Sequence, residues 1–297
     1  MALNEIFKPI SQELYLMNQE LRRQLDSLTE DPQMAPAQKA HVGRLVNHFF
    51  QAPGKGLRPA LVLLAAKLAG PVAPAEPSYQ PLIKLATAVE LLHSASLTHD
   101  DVVDQAHFRR EQVSLNAQYG NRIAVVVGDA LILQAYALLL NLETDKKEPL
   151  FRILYQTAQK MCLGEMFEHH ILTERRTAQL EEYVRLLEHK TAALMSACCE
   201  CGAMLTGNDP AAYENLANFG LHFGLAFQLA DDSKDQDSVW DQEADLVPLV
   251  TAYIKKAKAD LHVFNDNPVT PNLLALCDLL LPGNGAAGIF DQKIMLS

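Results

Sequence analysis

Apolar residues recur at spacings of three and four along most of this chain, and that period predicts helix after helix. Leu14, Met17, Leu21, Leu25 and Leu28 form the first series, so residues 1 to about 28 read as helical. Pro32 and Pro36 break the pattern, and residues 41–50 suit a second helix that stops before Pro53 and Gly54. Residues 60–69 continue in the same way. A connector then opens at Gly70 and is punctuated by Pro71, Pro74, Pro77 and Pro81. From about Leu82 another helix runs up to an acidic stretch at residues 100–104. Residues 123–142 form a mostly apolar run of bilayer-spanning length. Gly128, Asp129 and Gln134 interrupt it and only Arg122 flanks its near end, so it reads as a buried core helix rather than a membrane span. Further runs cover residues 148–172, 178–205, 210–235, 246–263 and 270–280. No stretch alternates at period two with hairpin signals, so no strand is predicted. Without repeats or low-complexity segments, the pattern predicts one all-α domain over residues 1–297.

Composition narrows the function classes. The 297-residue chain is 49% hydrophobic, enough for a large core, and its formal net charge of −11 argues against a nucleic-acid surface. The five cysteines (Cys162, Cys198, Cys199, Cys201 and Cys277) are an odd number, and three crowd into CCEC. That suits neither a disulfide framework nor a CxxC metal site; reduced thiols in a cytoplasmic protein fit. The opening residues MALNEIFKPISQELYL lack a basic start followed by an apolar core, so no signal peptide is read.

Candidate chemistry concentrates in residues 90–110, ELLHSASLTHDDVVDQAHFRR. Asp100 and Asp104 are four apart, so on a helix both carboxylates leave one face, with Asp101 beside them. Like charges at that spacing destabilise a helix unless a cation sits between them. Mg²⁺ suits the task, because it takes oxygen ligands and bridges carboxylates to phosphates. Arg109 and Arg110 follow as planar donors for phosphate oxygens. Acids for a metal beside arginines for phosphate suggest a site for a metal-complexed diphosphate; a solvated acidic turn followed by a basic one is the plain alternative. Residues 227–235, FQLADDSKD, repeat the acidic pattern with Asp231, Asp232 and Asp235.

Two DDxxD motifs closing two apolar helical runs resemble the two aspartate-rich motifs of the trans-polyprenyl diphosphate synthase family. The resemblance continues through GKGLRP at residues 54–59, His93, the arginine pair, GNRIAVVVGD at 120–129, Gly164 with Glu165, and KTAAL at 190–194. It covers roughly residues 40–235 in the family's order, and the C-terminal helices more loosely. It implies a helical bundle around a central cavity, in which isopentenyl diphosphate is joined head to tail to an allylic diphosphate. By resemblance, Asp100, Asp104 and Asp231 hold Mg²⁺ together with Asp235, helped by Asp101 and Asp232. Arg109 would touch the allylic diphosphate and Lys190 would be a further cation on it. Lys55, Arg58, His93 and Arg110 would hold the metal-free isopentenyl diphosphate, and Thr191 and Gln228 would offer oxygens to the carbocation. The family packs as homodimers, and the apolar 123–142 helix suits a self-complementary interface.

Ser96 lies four residues before Asp100 and shares approximately its face, roughly 6 Å along the helix. Ala95 is singled out by resemblance alone: short-chain members carry large aromatics there, which plug the tunnel. Small residues at both positions imply products longer than twenty carbons.

The chain also departs from the family. Residues 236–247, QDSVWDQEADLV, hold four acids and no Lys or Arg where the family carries a lysine-containing loop, although Lys234 stands just before. Glu168 replaces an expected glutamine. These departures keep open a weakly active or non-catalytic relative serving as a binding subunit. A class I terpene cyclase shares DDxxD chemistry but has no use for the second diphosphate site implied by GKGLRP, His93 and the arginines.

Overall fold

The computed structural model of the protein describes residues 2–51, 54–233 and 245–281. Among these the fold is a bundle of α-helices. A short α1 (Leu3–Ile6) leads to α2 (Ser11–Ser27), α3 (Pro36–His48) and α4 (Leu57–Ala69). The long α5 (Tyr79–Val103) ends at the first acidic motif. Beyond it come α6 (Leu115–Tyr119), α7 (Asn121–Leu140), α8 (Lys147–Thr173), α9 (Leu180–Leu187) and α10 (Ala193–Thr206). The second acidic motif ends α11 (Pro210–Asp232), and α12 (Val247–Asp260) and α13 (Thr270–Leu279) close the chain.

Burial follows the apolar runs. In α4 every residue from Ala60 to Ala66 is fully buried, and α5 is buried on most sides from Leu82 to Ala95. Helices that are apolar all round belong in a core, and α4 and α5 pack together there, with α10 against α4 and α11 against α10. Four of the five thiols lie inside, and burial pushes those of Cys198, Cys199, Cys201 and Cys277 up. Side-chain caps fix where some helices start: Ser114 accepts from the Ala117 amide to open α6, and Asp209 from the Ala211 amide to open α11.

Three expectations need correction. Residues 108–113 form a two-stranded hairpin, β1 (Phe108–Arg109) with β2 (Gln112–Val113), although no strand was predicted. Two-residue strands are too short to show an alternating pattern. The expected run 178–205 is not one α-helix: five residues, Glu188–Ala192, wind as a π-helix between α9 and α10. Third, α7 is not a buried core helix. Ala124, Leu131, Ala135 and Leu139 face the core, but Val126, Leu133 and Leu140 are exposed at seven-residue spacing. By length and composition alone α7 could cross a membrane.

Two close approaches hold the π-helical turn. A Cβ on Gly164 of α8 would stand 2.9 Å from the Lys190 amide nitrogen, and one on Gly224 of α11 would stand 2.7 Å from Ala192 Cα. Glycine at both points lets α8 and α11 close on the turn from two sides.

Candidate active site

Each acidic motif sits where a helix runs out. Asp104 caps α5 with near-helical backbone, and its amide still bonds the Asp100 carbonyl at 2.8 Å. Asp100 and Asp104 therefore share a face, as their spacing requires. Neither carboxylate accepts a hydrogen bond from the described residues. Burial, with the negative charges of Glu165 and Asp104 added, lifts Asp100 to about 7, against the counter-pull of Lys190 and Arg109. Glu165 is raised too, first by burial and then by Glu168 and Asp104, while Lys190 pulls the other way. One ammonium thus stands among several crowded carboxylates.

Lys190 reaches that crowd from the π-helical turn. Its Nζ lies 3.1 Å from Glu165 and contacts Glu168, one turn further along α8. Burial would lower its proton affinity, but the two acids outweigh it and Lys190 ends raised. The next residue, Thr191, points the other way. Its hydroxyl donates to Gln228 Oε1 at 2.9 Å, and Gln228 Nε2 donates to Asp232 Oδ1 at 2.8 Å. The second Asp232 oxygen accepts from the Tyr183 hydroxyl at 2.5 Å. Burial and that bond push the Tyr183 phenol up, keeping it a donor. Consecutive residues of one turn therefore serve the two acidic helix ends.

Several residues given roles from the sequence also make contacts within the protein. Asp101, expected to help on the metal, is 1% exposed and takes two contacts from Arg109, Nε at 2.7 Å and Nη2 at 2.5 Å. Its carbonyl accepts from Asn116 at 2.9 Å, so Asp101 anchors the hairpin. Arg109, assigned to the allylic diphosphate, is held there as well. Asp232 likewise has both oxygens engaged by protein donors. Thr191 and Gln228, expected to offer oxygens to a cation, bond each other. Asp235 and Lys234 lie outside the described residues, as does residue stretch 236–244 of the lysine-free segment. Asp231, at the end of α11, is exposed.

A second charge environment lies further back on α5. Arg58, in the first turn of α4, brings Nη1 to 2.8 Å from His93 Nε2, while its Nε is buried without a partner. Burial and the charges of Arg58, Arg110 and Arg109 push His93 well down, so the ring is neutral and can accept from Arg58. Arg110 arrives from the hairpin turn, where Arg110 and Glu111 both adopt positive φ, as a two-residue primed turn requires. Non-glycine residues there carry strain of about 1–3 kcal/mol each. His48 Nε2, 2.8 Å from the Val113 carbonyl, ties the hairpin down. The Arg110 guanidinium covers the Phe49 ring, and a Cβ at Gly54 would stand 2.8 Å from its Nη2. Gly56, at φ +61, turns the backbone into α4, with Lys55 partly exposed between the two glycines. Glu90, buried one turn before His93, feels both Arg58 and Arg110. Sequence reading overlooked Glu90 and Tyr183. A lone acid inside the apolar run of α5 was the available signal for Glu90; Tyr183 carried none.

The polyprenyl synthetase family model matches residues 39–243. The chain belongs to that family. Among relatives it is similar to a (2E,6E)-farnesyl diphosphate synthase of Mycobacterium bovis, 36% identical over 73% of this chain and 59% of the relative. The match thus spans under two thirds of that relative's length. Heptaprenyl diphosphate synthase component 2 of Geobacillus stearothermophilus is 30% identical over 94% of this chain and 77% of the relative. The solved polyprenyl synthase of Caulobacter crescentus, complexed with calcium and isoprenyl diphosphate, superposes with TM-score 0.76 at 26% identity. It covers 94% of this chain and 97% of its own.

Among the described residues no three His, Cys, Asp or Glu side chains stand close enough to hold a metal ion as they are placed. The donors nonetheless fit a hard divalent cation. Asp100 and Asp104 offer carboxylate oxygens with no donor among the described residues, and their mutual repulsion is what a cation would relieve.

The raised Asp100 makes a stability prediction. Folded Asp100 keeps its proton to about pH 7, whereas an unfolded aspartate loses it near its ordinary 3.8. The folded state binds the extra proton, so stability falls as pH rises through that window. With chelator present, Asp100→Asn should therefore melt higher than wild type at pH 8, by on the order of 1–3 kcal/mol. The gain should shrink towards pH 5. An equal gain at both pH values, or none at pH 8, would contradict the assignment.

Proposed function

We propose that this chain is a prenyltransferase that joins isopentenyl diphosphate to an allylic diphosphate and makes an all-trans polyprenyl diphosphate longer than twenty carbons. The observation that carries this reading is that α5 presents two unlike anion environments on one helix. Its end offers unpaired carboxylates with Lys190, which suits a diphosphate that arrives with Mg²⁺. Further back, Arg58, His93 and Arg110 offer fixed donors, which suits a diphosphate without metal. Both substrates carry the same headgroup, and only charge logic of this kind keeps them in order.

Asp100, Asp104, Asp231 and Asp235 would hold Mg²⁺, which when bound supplies Lewis-acid charge to the departing diphosphate. Arg109 and Lys190 add cations on that side. The allylic C–O bond breaks, the isopentenyl double bond attacks the cationic carbon, and a proton is lost to complete the new double bond. Arg58, partly exposed, turns its guanidinium to an incoming phosphate oxygen, while neutral His93 holds its Nη1. The lysine-free stretch 236–247 offers no cation to close over the diphosphates, so turnover is slow. A non-catalytic role draws no support from the synthases to which the chain is similar.

Product length rests on Ala95 and Ser96. Ala95 is fully buried, and Ser96 turns its hydroxyl back to the His93 carbonyl at 2.9 Å. Neither side chain has the bulk to stop a growing tail. Purified protein given Mg²⁺, labelled isopentenyl diphosphate and farnesyl diphosphate should yield products beyond twenty carbons, and Ala95→Phe should shorten them. Absence of condensation would overturn the reading; products of fifteen or twenty carbons from the wild type would overturn the length assignment.

The stripe of α7, Val126, Leu133 and Leu140, is exposed, and so are Tyr155, Leu163 and Met166 on α8, the helix that follows α7 and packs with it. Exposed apolar residues repeated at seven-residue spacing along one helix face suit an interface, and the partner we propose is a second copy, making a cytoplasmic homodimer. Sedimentation should give twice the chain mass at micromolar concentration. A monomer there would overturn the dimer and favour a different partner chain.

A further inference from the structure

The Lys190 ammonium is engaged twice over. Glu165 and Glu168 leave α8 one turn apart and both reach it, Glu165 at 3.1 Å. All three side chains are about a quarter exposed, so the cluster opens to the site rather than lying sealed in the core. Its backbone is fixed: Gly164 brings α8 against the π-helical turn, and the Phe167 ring meets that of His189, the residue before Lys190, edge to face. Lys190 thus stays beside Glu168 without any need for chain motion.

The two acids are not equivalent. Glu165 belongs to the same electrostatic group as Asp100 and Asp104, whereas Glu168 acts on Lys190 and on Glu165. A divalent ion on the aspartates relieves Glu165. Among the described residues the charge of Glu168 is answered by Lys190. A diphosphate arriving at this site must therefore displace Glu168 from the ammonium, or share the ammonium with it.

We propose that Glu168 is a positioning residue for Lys190, which competes with the diphosphate for that ammonium and sets how tightly the leaving group is held. The inference rests on the prenyltransferase reading and deepens it. When product pyrophosphate leaves, Glu168 recaptures Lys190, so the same contact that weakens substrate binding speeds release. Glutamine at 168 keeps the length and an acceptor oxygen but removes the competing charge.

The test is calorimetry with inorganic pyrophosphate and Mg²⁺ on the full chain. Glu168→Gln should tighten binding about tenfold, equivalent to about 1.4 kcal/mol, while Glu168→Asp, which keeps the charge, should stay within about twofold of wild type. In a Lys190→Gln background the gain from Glu168→Gln should fall to under about twofold, because the effect runs through the ammonium. In turnover, Glu168→Gln should lower KM for the allylic diphosphate and lower kcat as pyrophosphate release slows. Equal tightening with and without Lys190 would reduce Glu168 to a distant charge and overturn the inference. Unchanged affinity in Glu168→Gln would overturn it while leaving the proposed function standing. If neither wild type nor Glu168→Gln binds pyrophosphate, both fall.

Discussion

Two helix ends rich in carboxylate cannot approach each other unless something between them answers their charge. Here the answer is a five-residue π-helical turn, Glu188–Ala192, whose consecutive residues serve the two sides. Lys190 pairs with Glu165 and Glu168 of α8 and its charge acts on Asp100 at the end of α5, while Thr191 bonds Gln228, which holds Asp232 at the end of α11. A regular α-helix sets neighbouring side chains about 100° apart; the wider turn adds a residue without ending the helix. Gly164 and Gly224 make the arrangement possible by letting two helices touch the turn's backbone. The rest of the bundle, from the small residues of α4 to the buried thiols of α10, builds the wall against which this turn is held.

The opposite arrangement governs the middle of α5. There fixed cations gather around a neutral histidine, and burial pushes the nearby Glu90 carboxyl up against the pull of Arg110 and Arg58. Desolvation penalises such a cluster, and burial lowers the proton affinity of Arg58, His93 and Arg110 alike. The hairpin that carries Arg110 is strained at two residues and is anchored by Asp101, Asn116 and His48. An aspartate of the first acidic motif therefore serves the cation-rich site. The two environments are mechanically joined through Asp101 and Arg109.

Much of this was legible in the sequence, and the reason is periodicity. Apolar spacing located most helices, and a four-residue interval put Asp100 and Asp104 on one face. What periodicity cannot carry is the identity of a polar partner. Asp101 looks like Asp100 in the sequence, yet one is sealed against Arg109 while the other stands without a donor. Thr191 and Gln228 are 37 residues apart and bond each other, a pairing that no local pattern encodes. A π-helical turn has the same composition as an α-helical one, so residues 178–205 read as a single helix. Residues 123–142 read as core because an apolar helix with one exposed face and one buried all round share a composition.

The central claim is that one helix carries two diphosphate sites with opposite charge logic, one completed by a metal ion and one by fixed cations. Equilibrium binding measured with and without chelator tests it most directly, using isopentenyl diphosphate and an unreactive allylic thiodiphosphate. In chelator, isopentenyl diphosphate should bind one per chain and the allylic analogue should not bind. Added Mg²⁺ should bring in the analogue and leave the first ligand's affinity nearly unchanged. If both ligands need the metal, or neither does, the two-site account is wrong.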